Sequence, residues 1–557
     1  MALYLSAEQK NLKSLFANDD RYVIPSYQRP YSWSLEQCRQ LYDDIMEAYN
    51  NGSDSYFLGN IVLASDNRDE LPEVVDGQQR LVTLWLFLKA LHILIPTLNK
   101  LRRMIQVEEE DEDADSQSFV SKILSKVFET TDQKSIDAIL GYPRTFFDEG
   151  FREYKSVGEQ KYFKTHTDHV LANAVCIYSL LREAFEHFEI DEQKKFTDFF
   201  ISNVYLLPIV LKDESLDKAR SKALMVFETI NNRGMDLNDA DIFKARLYNM
   251  ALRAGQGDEF KEKWREINRQ CEDLEVKIDD VFRYYYHIVR GQTGIVTPEI
   301  GLRDFFQSDS KSPFKRGDYQ HVVEDLLAVL AVLSDIQEKK ASKSRIAAWL
   351  QILYAYSNQY PVYALVCYLF ANKQYTDDDL LEFLHKIVRF CYGKGSTTSV
   401  KFEIYNIIYN VFHGIQLPDY TQPVMDSELW RRPGKLVKGL SLIAFYIRNP
   451  NENVVHNPIV DKIIKPVDQP TLGLDWEIKD LDSRLGGLAN YAVFDFPKRN
   501  TPLYRRYSAF MSSSLSEVRG LLEMPGEISY ERFLTREKLI DMTLVGFFIK
   551  GKTNEKA

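Results

Sequence analysis

Val74-Val75-Asp76-Gly77-Gln78-Gln79-Arg80 reads as a short apolar strand that breaks at Asp-Gly and opens directly into a helix. Backbone amides at a helix start attract anions, glycine permits close approach, and Arg80 can neutralise phosphate charge. Asp76 can hold a metal ion or orient a water. The same letters also describe an Asp that caps the helix, followed by a solvated Gln-Arg pair. Upstream, Ile24-Pro25-Ser26-Tyr27-Gln28-Arg29-Pro30-Tyr31-Ser32-Trp33 carries a second strand into a turn fixed by two prolines. Arg29 offers a rigid fork of donors for phosphate or carboxylate, Gln28 an amide that donates or accepts, and Tyr27 and Trp33 rings that stack on a base. Together these residues suit a nucleotide. A third element runs from Met225 into the turn Asn231-Asn232-Arg233-Gly234, after which Asn238 can cap a helix containing Lys244. Asn231, Arg233 and Lys244 would add donors to a phosphate pocket, although turn chemistry alone also accounts for Asn and Gly.

With 557 residues, 45% of them hydrophobic, the chain can bury more than one core, and its length suggests about three or four domains. Cys38, Cys176, Cys271, Cys367 and Cys391 lie far apart with no Cys-x-x-Cys pair, against both a zinc ribbon and a disulfide framework. A reducing cytoplasm is the expected location. Met1 to Ala7 lacks the basic start of a secretory signal, and no apolar run approaches the roughly 18 residues of a membrane span. The net charge of −11 argues against a surface coated for DNA. From Arg431 onward, however, 20 Lys and Arg stand against 15 Asp and Glu. A bound nucleic acid should prefer that part, unless the excess is ordinary scatter.

Residues 7–18 read as an amphipathic helix with Leu12, Leu15 and Phe16 on one face. Strands are expected at Arg21–Ile24, Tyr56–Ala64, Glu73–Val75 and Val204–Leu211, and helices from the Ser34 cap through Met46, over Gln79–Ile95 and over Val170–Ile190. Glu108 to Asp115 reads as a solvated acidic loop. From about Asp258 to Gln416 the pattern is helical, with a helix from the Thr376 cap to Gly393, and the chain ends with a helix beginning near Thr535.

Tyr27-Gln28-Arg29 with Trp33, Tyr56-Phe57-Leu58-Gly59-Asn60, Asp76 to Arg80 and the Phe227 to Gly234 turn, in this order, closely resemble the N-terminal domain of GmrSD-type restriction proteins. The resemblance implies a ParB-like fold that binds and hydrolyses a nucleoside triphosphate, coupling recognition of modified DNA to cutting. It assigns Gln28, Arg29, Asp76, Gln78, Gln79 and Arg80 to the nucleotide site, with Asp76 as the ligand of Mg2+ or water. No Walker-type phosphate loop is present.

Many relatives end in an HNH nuclease domain, and Asp461-Lys462-Ile463-Ile464-Lys465-Pro466 stands where a His-containing motif is expected, with Lys462 replacing the His. In Leu485-Gly486-Gly487-Leu488-Ala489-Asn490, Gly487 stands at the position of an Asn, and Asn500 matches the last polar position. A Lys without a partner is a poor general base at neutral pH, so the nuclease reads as degenerate. His456 lies a few residues upstream and would restore the motif in another register. His166, Asp168 and His169 lack a clear third metal ligand and read as surface.

The expected fold is α+β and predominantly helical: a ParB-like nucleotide-binding domain (1–95 and 200–250), a helical insertion with the acidic loop (96–199), a helical scaffold (251–430) and a small HNH-like α/β domain (431–557). The function implied is that of a prokaryotic anti-phage defence protein of the modification-dependent restriction type. Its expected partners are DNA, including modified phage DNA, a catalytic partner protein, and further copies or other chains in an oligomer. Arg431, Arg432, Lys435, Lys498, Arg499, Arg505 and Arg506 are the expected phosphate contacts. Three alternatives stay open: an NTP-regulated endonuclease or nickase using His456 and Asn500 with a divalent metal, a non-catalytic nucleotide sensor or scaffold, and a toxin or regulator unrelated to DNA.

Overall fold

The two strands that lead into the polar segments lie side by side, and this pairing organises the first part of the chain. In the computed structural model, which describes residues 5–16, 21–66, 71–109, 118–127, 131–216, 218–220, 222, 223, 226, 239–394, 397–422, 433–471, 481–497, 501–522 and 528–551, β3 (Tyr22–Ile24) runs parallel to β5 (Glu73–Asp76). Both strands therefore deliver their C-terminal ends, and the loops that follow, to the same end of the sheet. β4 (Tyr56–Asp66) runs antiparallel to β5, so its start, Tyr56 to Asn60, joins them there. β9 (Val204–Asp213) pairs parallel with β4. Among the described residues the sheet has seven strands, in the order β1 (Leu5–Ala7), β9, β4, β5, β3 and β8 (Ile123–Ser125), with β2 (Lys10–Asn11) also on β9.

Strand periodicity explains how the sheet is buried. Ile61 and Leu63 of β4 enter a core with Val74, while Val62 and Ala64 enter a second core with Val75, Ile209 and Leu211. Helix α3 (Gln78–Leu94) lies in the first core, buried on almost every side from Leu81 to Leu91, as its nearly unbroken apolar sequence requires. Helices α4 (Asn99–Ile105), α5 (Asp132–Gly141), α8 (His169–Glu186) and α9 (Ile190–Asn203) contribute to that same core. Segment 96–199 thus shares one hydrophobic centre with the sheet.

Several local expectations need correction. The N-terminal helix, described over Leu12–Phe16, begins later than expected, because Leu5–Ala7 (β1) and Lys10–Asn11 (β2) pair instead with the edge of β9; residues 17 and 18 lie outside the described residues. Glu108 and Glu109 are not loop residues: they close β6 (Gln106–Glu109), which pairs with β7 (Ser118–Ser121), and residues 110–117 lie outside the described residues. Helix Asp377–Lys394 continues through Gly393, and the last helix starts at Tyr530, where the Ser529 hydroxyl accepts the Arg532 N–H.

The chain divides into two compact units, 1–261 and 262–557. The second is mainly helical. Helix Val437–Arg448 packs on Arg345–Tyr354 and on the final helix Tyr530–Phe548, and a two-stranded hairpin, β10 (Ile459–Lys462) with β11 (Tyr491–Phe494), lies beside them. The architecture is α+β and predominantly helical. No described helix is long and apolar enough to cross a membrane.

Gly77 joins β5 to α3 with φ +89°, and a Cβ there would lie 2.5 Å from Ile61 Cγ2. Gly77→Ala is expected to destabilise the first unit by about 2–4 kcal/mol. Hydrogen exchange of the α3 amides across a urea series measures the loss.

Candidate functional site

Gln79 holds the proline-flanked loop in place. Buried in the first turn of α3, it donates from Nε2 to the Pro30 carbonyl at 3.0 Å and accepts at Oε1 from the amides of Ser32 (2.9 Å) and Trp33 (3.2 Å). Gln78, also buried, donates to the Arg29 carbonyl at 3.0 Å, and Gln28 donates to the Val75 carbonyl at 2.8 Å. The two segments are therefore laced together by three glutamine amides. Gln78 and Gln79 were expected to act on the nucleotide itself; their side chains instead bind and orient the 29–33 backbone.

What remains at the surface is charged. Arg29 is exposed, and its guanidinium has no hydrogen-bond partner among the described residues. Half-buried Asp76 takes the Gly77 N–H and faces Arg80 and Arg29. Burial raises its carboxyl above the ordinary aspartate value, and the two arginines and the Gly77 N–H pull the other way without offsetting it. Arg80 donates to the Asn60 carbonyl at 2.7 Å. Gly59, at φ +120°, leaves the space for it, since a Cβ there would lie 2.8 Å from Arg80 Nη1. Among the described residues no side chain caps the start of helix α3, whose first amides form the positive end of the helix dipole.

The aromatic residues are differently placed from the expectation. Tyr27 is 2% exposed, tilted against Tyr248 at 6.3 Å between ring centroids and lying under the Arg220 guanidinium, so it offers no open face to a base. Trp33 is half-buried and packs against the α3 core. Lys244, on helix Asp239–Arg253, is buried and donates to the Gln28 carbonyl at 3.4 Å. Asn231 and Arg233 lie outside the described residues.

Residues 12–248 match the family described as GmrSD restriction endonuclease, N-terminal domain. This segment is a GmrSD N-terminal domain. No curated protein matches the chain at significant similarity.

The GmrSD domain also depends on residues that sequence reading missed. Glu73 and Arg220 form a buried two-bond ion pair, with Nε at 2.7 Å and Nη2 at 2.8 Å, behind Tyr27. Asp132 accepts the Tyr31 amide at 2.8 Å, and Asn173, fully buried on α8, donates to the Trp33 carbonyl at 2.8 Å. The Tyr31 hydroxyl pairs with Thr83 at 2.7 Å. The one local hint was Glu73 itself, a charge directly before the two valines of its strand. His166 stacks on Tyr162, and Asp168 caps α8 by accepting the Leu171 N–H. Among the described residues, no group of three or more His, Cys, Asp or Glu is placed to hold a metal ion.

In the second unit, Lys462 ends β10, half-buried, and His456 is exposed in the loop before it. Gly487 only precedes the turn Leu488–Asn490; the asparagine that organises this loop is Asn490, three residues further on. Fully buried, Asn490 accepts the Ile464 N–H at 2.8 Å and donates to the carbonyls of Ile464 (2.8 Å) and Leu485 (2.9 Å). Lys435 and Arg505 are exposed. Arg506 is no phosphate contact: it is 3% exposed and ion-paired with Asp468, because its guanidinium bridges the hairpin and the helix that carries it. Arg431, Arg432, Lys498, Arg499 and Asn500 lie outside the described residues.

Gln79→Leu leaves two amides and a carbonyl of the loop without their partner. It is expected to cost about 2–4 kcal/mol and to speed hydrogen exchange at Ser32 and Trp33. Asp76 supplies a pH test. Its raised carboxyl makes the ionised form unfavourable in the fold, a penalty that is full above the folded pKa and absent below the ordinary aspartate value, where both states are protonated. Asp76→Asn should therefore raise the melting temperature at neutral pH, and the gain should vanish in acid.

Proposed function

We propose that the GmrSD domain binds a nucleoside triphosphate at the 25–33 and 76–80 segments and uses its hydrolysis to control action on foreign DNA in a prokaryotic anti-phage restriction pathway. The observation that carries this reading is the exposed Arg29 guanidinium beside Asp76, Arg80 and the uncapped start of α3, on a loop whose other polar groups are committed to holding its shape. Such a donor set suits a polyphosphate. The family description, a restriction endonuclease, supports the pathway.

Mg2+ is commonly held by one or two carboxylates together with the phosphates of its nucleotide, so Asp76 is sufficient on the protein side. When bound, the ion would neutralise phosphate charge; Arg29 and Arg80 would hold the phosphates and Gln79 would keep Arg29 in place through the loop. In the second unit, Lys462 in place of a general base supports a nuclease-like domain that docks on DNA while a partner chain cuts. Exposed Lys435 and Arg505 would contribute phosphate contacts. A ParB-like fold for the first unit and an HNH-like one for the C-terminal part belong to the same proposal.

Phosphate release from each of the four nucleoside triphosphates with Mg2+, with and without modified DNA, tests it. Asp76→Ala is expected to lower turnover by about 100-fold or more. Arg29→Ala is expected to weaken nucleotide binding roughly 10- to 100-fold. A wild-type chain that binds none of the four sinks the reading. Saturable binding with no released phosphate replaces hydrolysis with sensing, a reading favoured by the use of Gln78 and Gln79 as loop anchors rather than as groups facing the nucleotide.

A further inference from the structure

The β10–β11 hairpin gathers two carboxylates and three cations within a short stretch of chain. Asp461 lies on β10, and its Oδ2 meets Lys465 Nζ at 2.7 Å while its Oδ1 accepts the Lys462 N–H at 2.9 Å. Asp468, 1% exposed, accepts the Leu503 N–H at Oδ1 (2.5 Å), and its Oδ2 takes both the Lys465 N–H (2.8 Å) and the Arg506 guanidinium. Every carboxylate oxygen in this groove is thus occupied by a donor of the protein itself. Lys465 is 9% exposed and Arg506 3%, so both positive charges are fixed inside the groove rather than free to swing away.

A nuclease of the resembled type would need a divalent ion here, and these residues do not fit one. Mg2+ binds oxygens that it does not have to share with a fixed cation: Asp468 is buried and takes three protein donors, and Asp461 is held by Lys465, which is itself buried. An arriving dication would also sit beside two buried cations in a medium that screens poorly. The buried ammonium and guanidinium already neutralise the carboxylates that a metal would otherwise need to neutralise.

We infer that this hairpin has exchanged a catalytic divalent ion for the built-in cations Lys465 and Arg506, leaving a metal-independent site that grips a nucleic-acid phosphodiester through Lys462 and Arg505 without cleaving it. Lys462 has its ammonium 5.8 Å from the Tyr491 ring centroid, and Arg505 is exposed on helix Leu503–Met511, which packs on the hairpin through Phe510 against Phe494, ring centroids 5.3 Å apart. With the two ion pairs internally closed, these side chains carry the surplus charge. The inference rests on the proposed action on DNA and is independent of nucleotide hydrolysis in the first unit.

The test uses the full chain without nucleotide, in an Asp76→Ala background that removes the other proposed metal ligand. Binding of a short fluorescent DNA duplex should be equal, within about twofold, in EDTA and in Mg2+ at matched ionic strength. Lys462→Glu combined with Arg505→Glu should weaken it by about tenfold or more, and each single alanine variant should lower the salt dependence of binding by about one counterion. Mn2+ titrated by electron paramagnetic resonance should show no bound ion that Asp461→Asn removes, a readout that does not depend on DNA. Cleavage in Mg2+ that is lost in Asp461→Asn, Mn2+ binding lost in that variant, or duplex binding that needs the metal would each overturn the inference. Duplex binding that is absent in both buffers, or unchanged in the Lys462→Glu, Arg505→Glu variant, would overturn the phosphodiester assignment. Nucleotide turnover in the Asp76-containing chain is scored separately, so failure of the hairpin site and failure of the nucleotide site are distinguishable.

Discussion

The three hydrogen bonds of the Gln79 amide are what the first unit's polar surface depends on. A loop that carries two prolines cannot satisfy its own backbone by regular pairing, and its amides and carbonyls need partners once covered. Gln79 supplies one donor and one doubly used acceptor from a helix that is itself locked in the core, so the loop inherits the rigidity of α3. Arg29 is then a charged side chain on a fixed backbone, and an arginine whose backbone is fixed loses less freedom on meeting an anion than one on a free loop. Gly59 and Gly77 serve the same end by giving up side chains where Arg80 and Ile61 need the room.

The local grammar of the site was legible in the sequence, and its partners were not. Strand, break and helix at 74–80 follow from residue order alone, as does the turn at 25–30, and the parallel pairing of β3 with β5 brings both to one place. The role of each polar letter was harder. Gln78 and Gln79 look identical to solvent-facing glutamines in a sequence, yet they are buried, since burial is a property of what packs above them. Tyr27 was read as a stacking surface, whereas in the turn after β3 it lies inward against Tyr248 and Arg220. Asp132 and Asn173 could not be found by spacing at all, because they reach the loop from 101 and 140 residues away.

The C-terminal hairpin shows a second kind of difficulty. Aligning Gly487 with an asparagine position followed the letters Leu-Gly, while the structure places the loop-binding amide at Asn490. A short motif fixes its register only when a side chain with a unique task can be named in advance. Arg506 illustrates the same point from the other side: an arginine in a basic stretch counts toward surface charge until a buried aspartate claims it.

The long reach of these contacts also bears on how the chain becomes competent as it is made. Gln28 meets Lys244 across 216 residues, and Glu73 meets Arg220 across 147. Contacts of such sequence separation carry a large loop-closure entropy and form late. During synthesis, the strand and helix of the DGQQR segment emerge well before the residues that brace them from behind. A ribosome-bound chain shorter than about 250 residues would hold the motif without its support, so the site matures only after most of the first unit has left the ribosome.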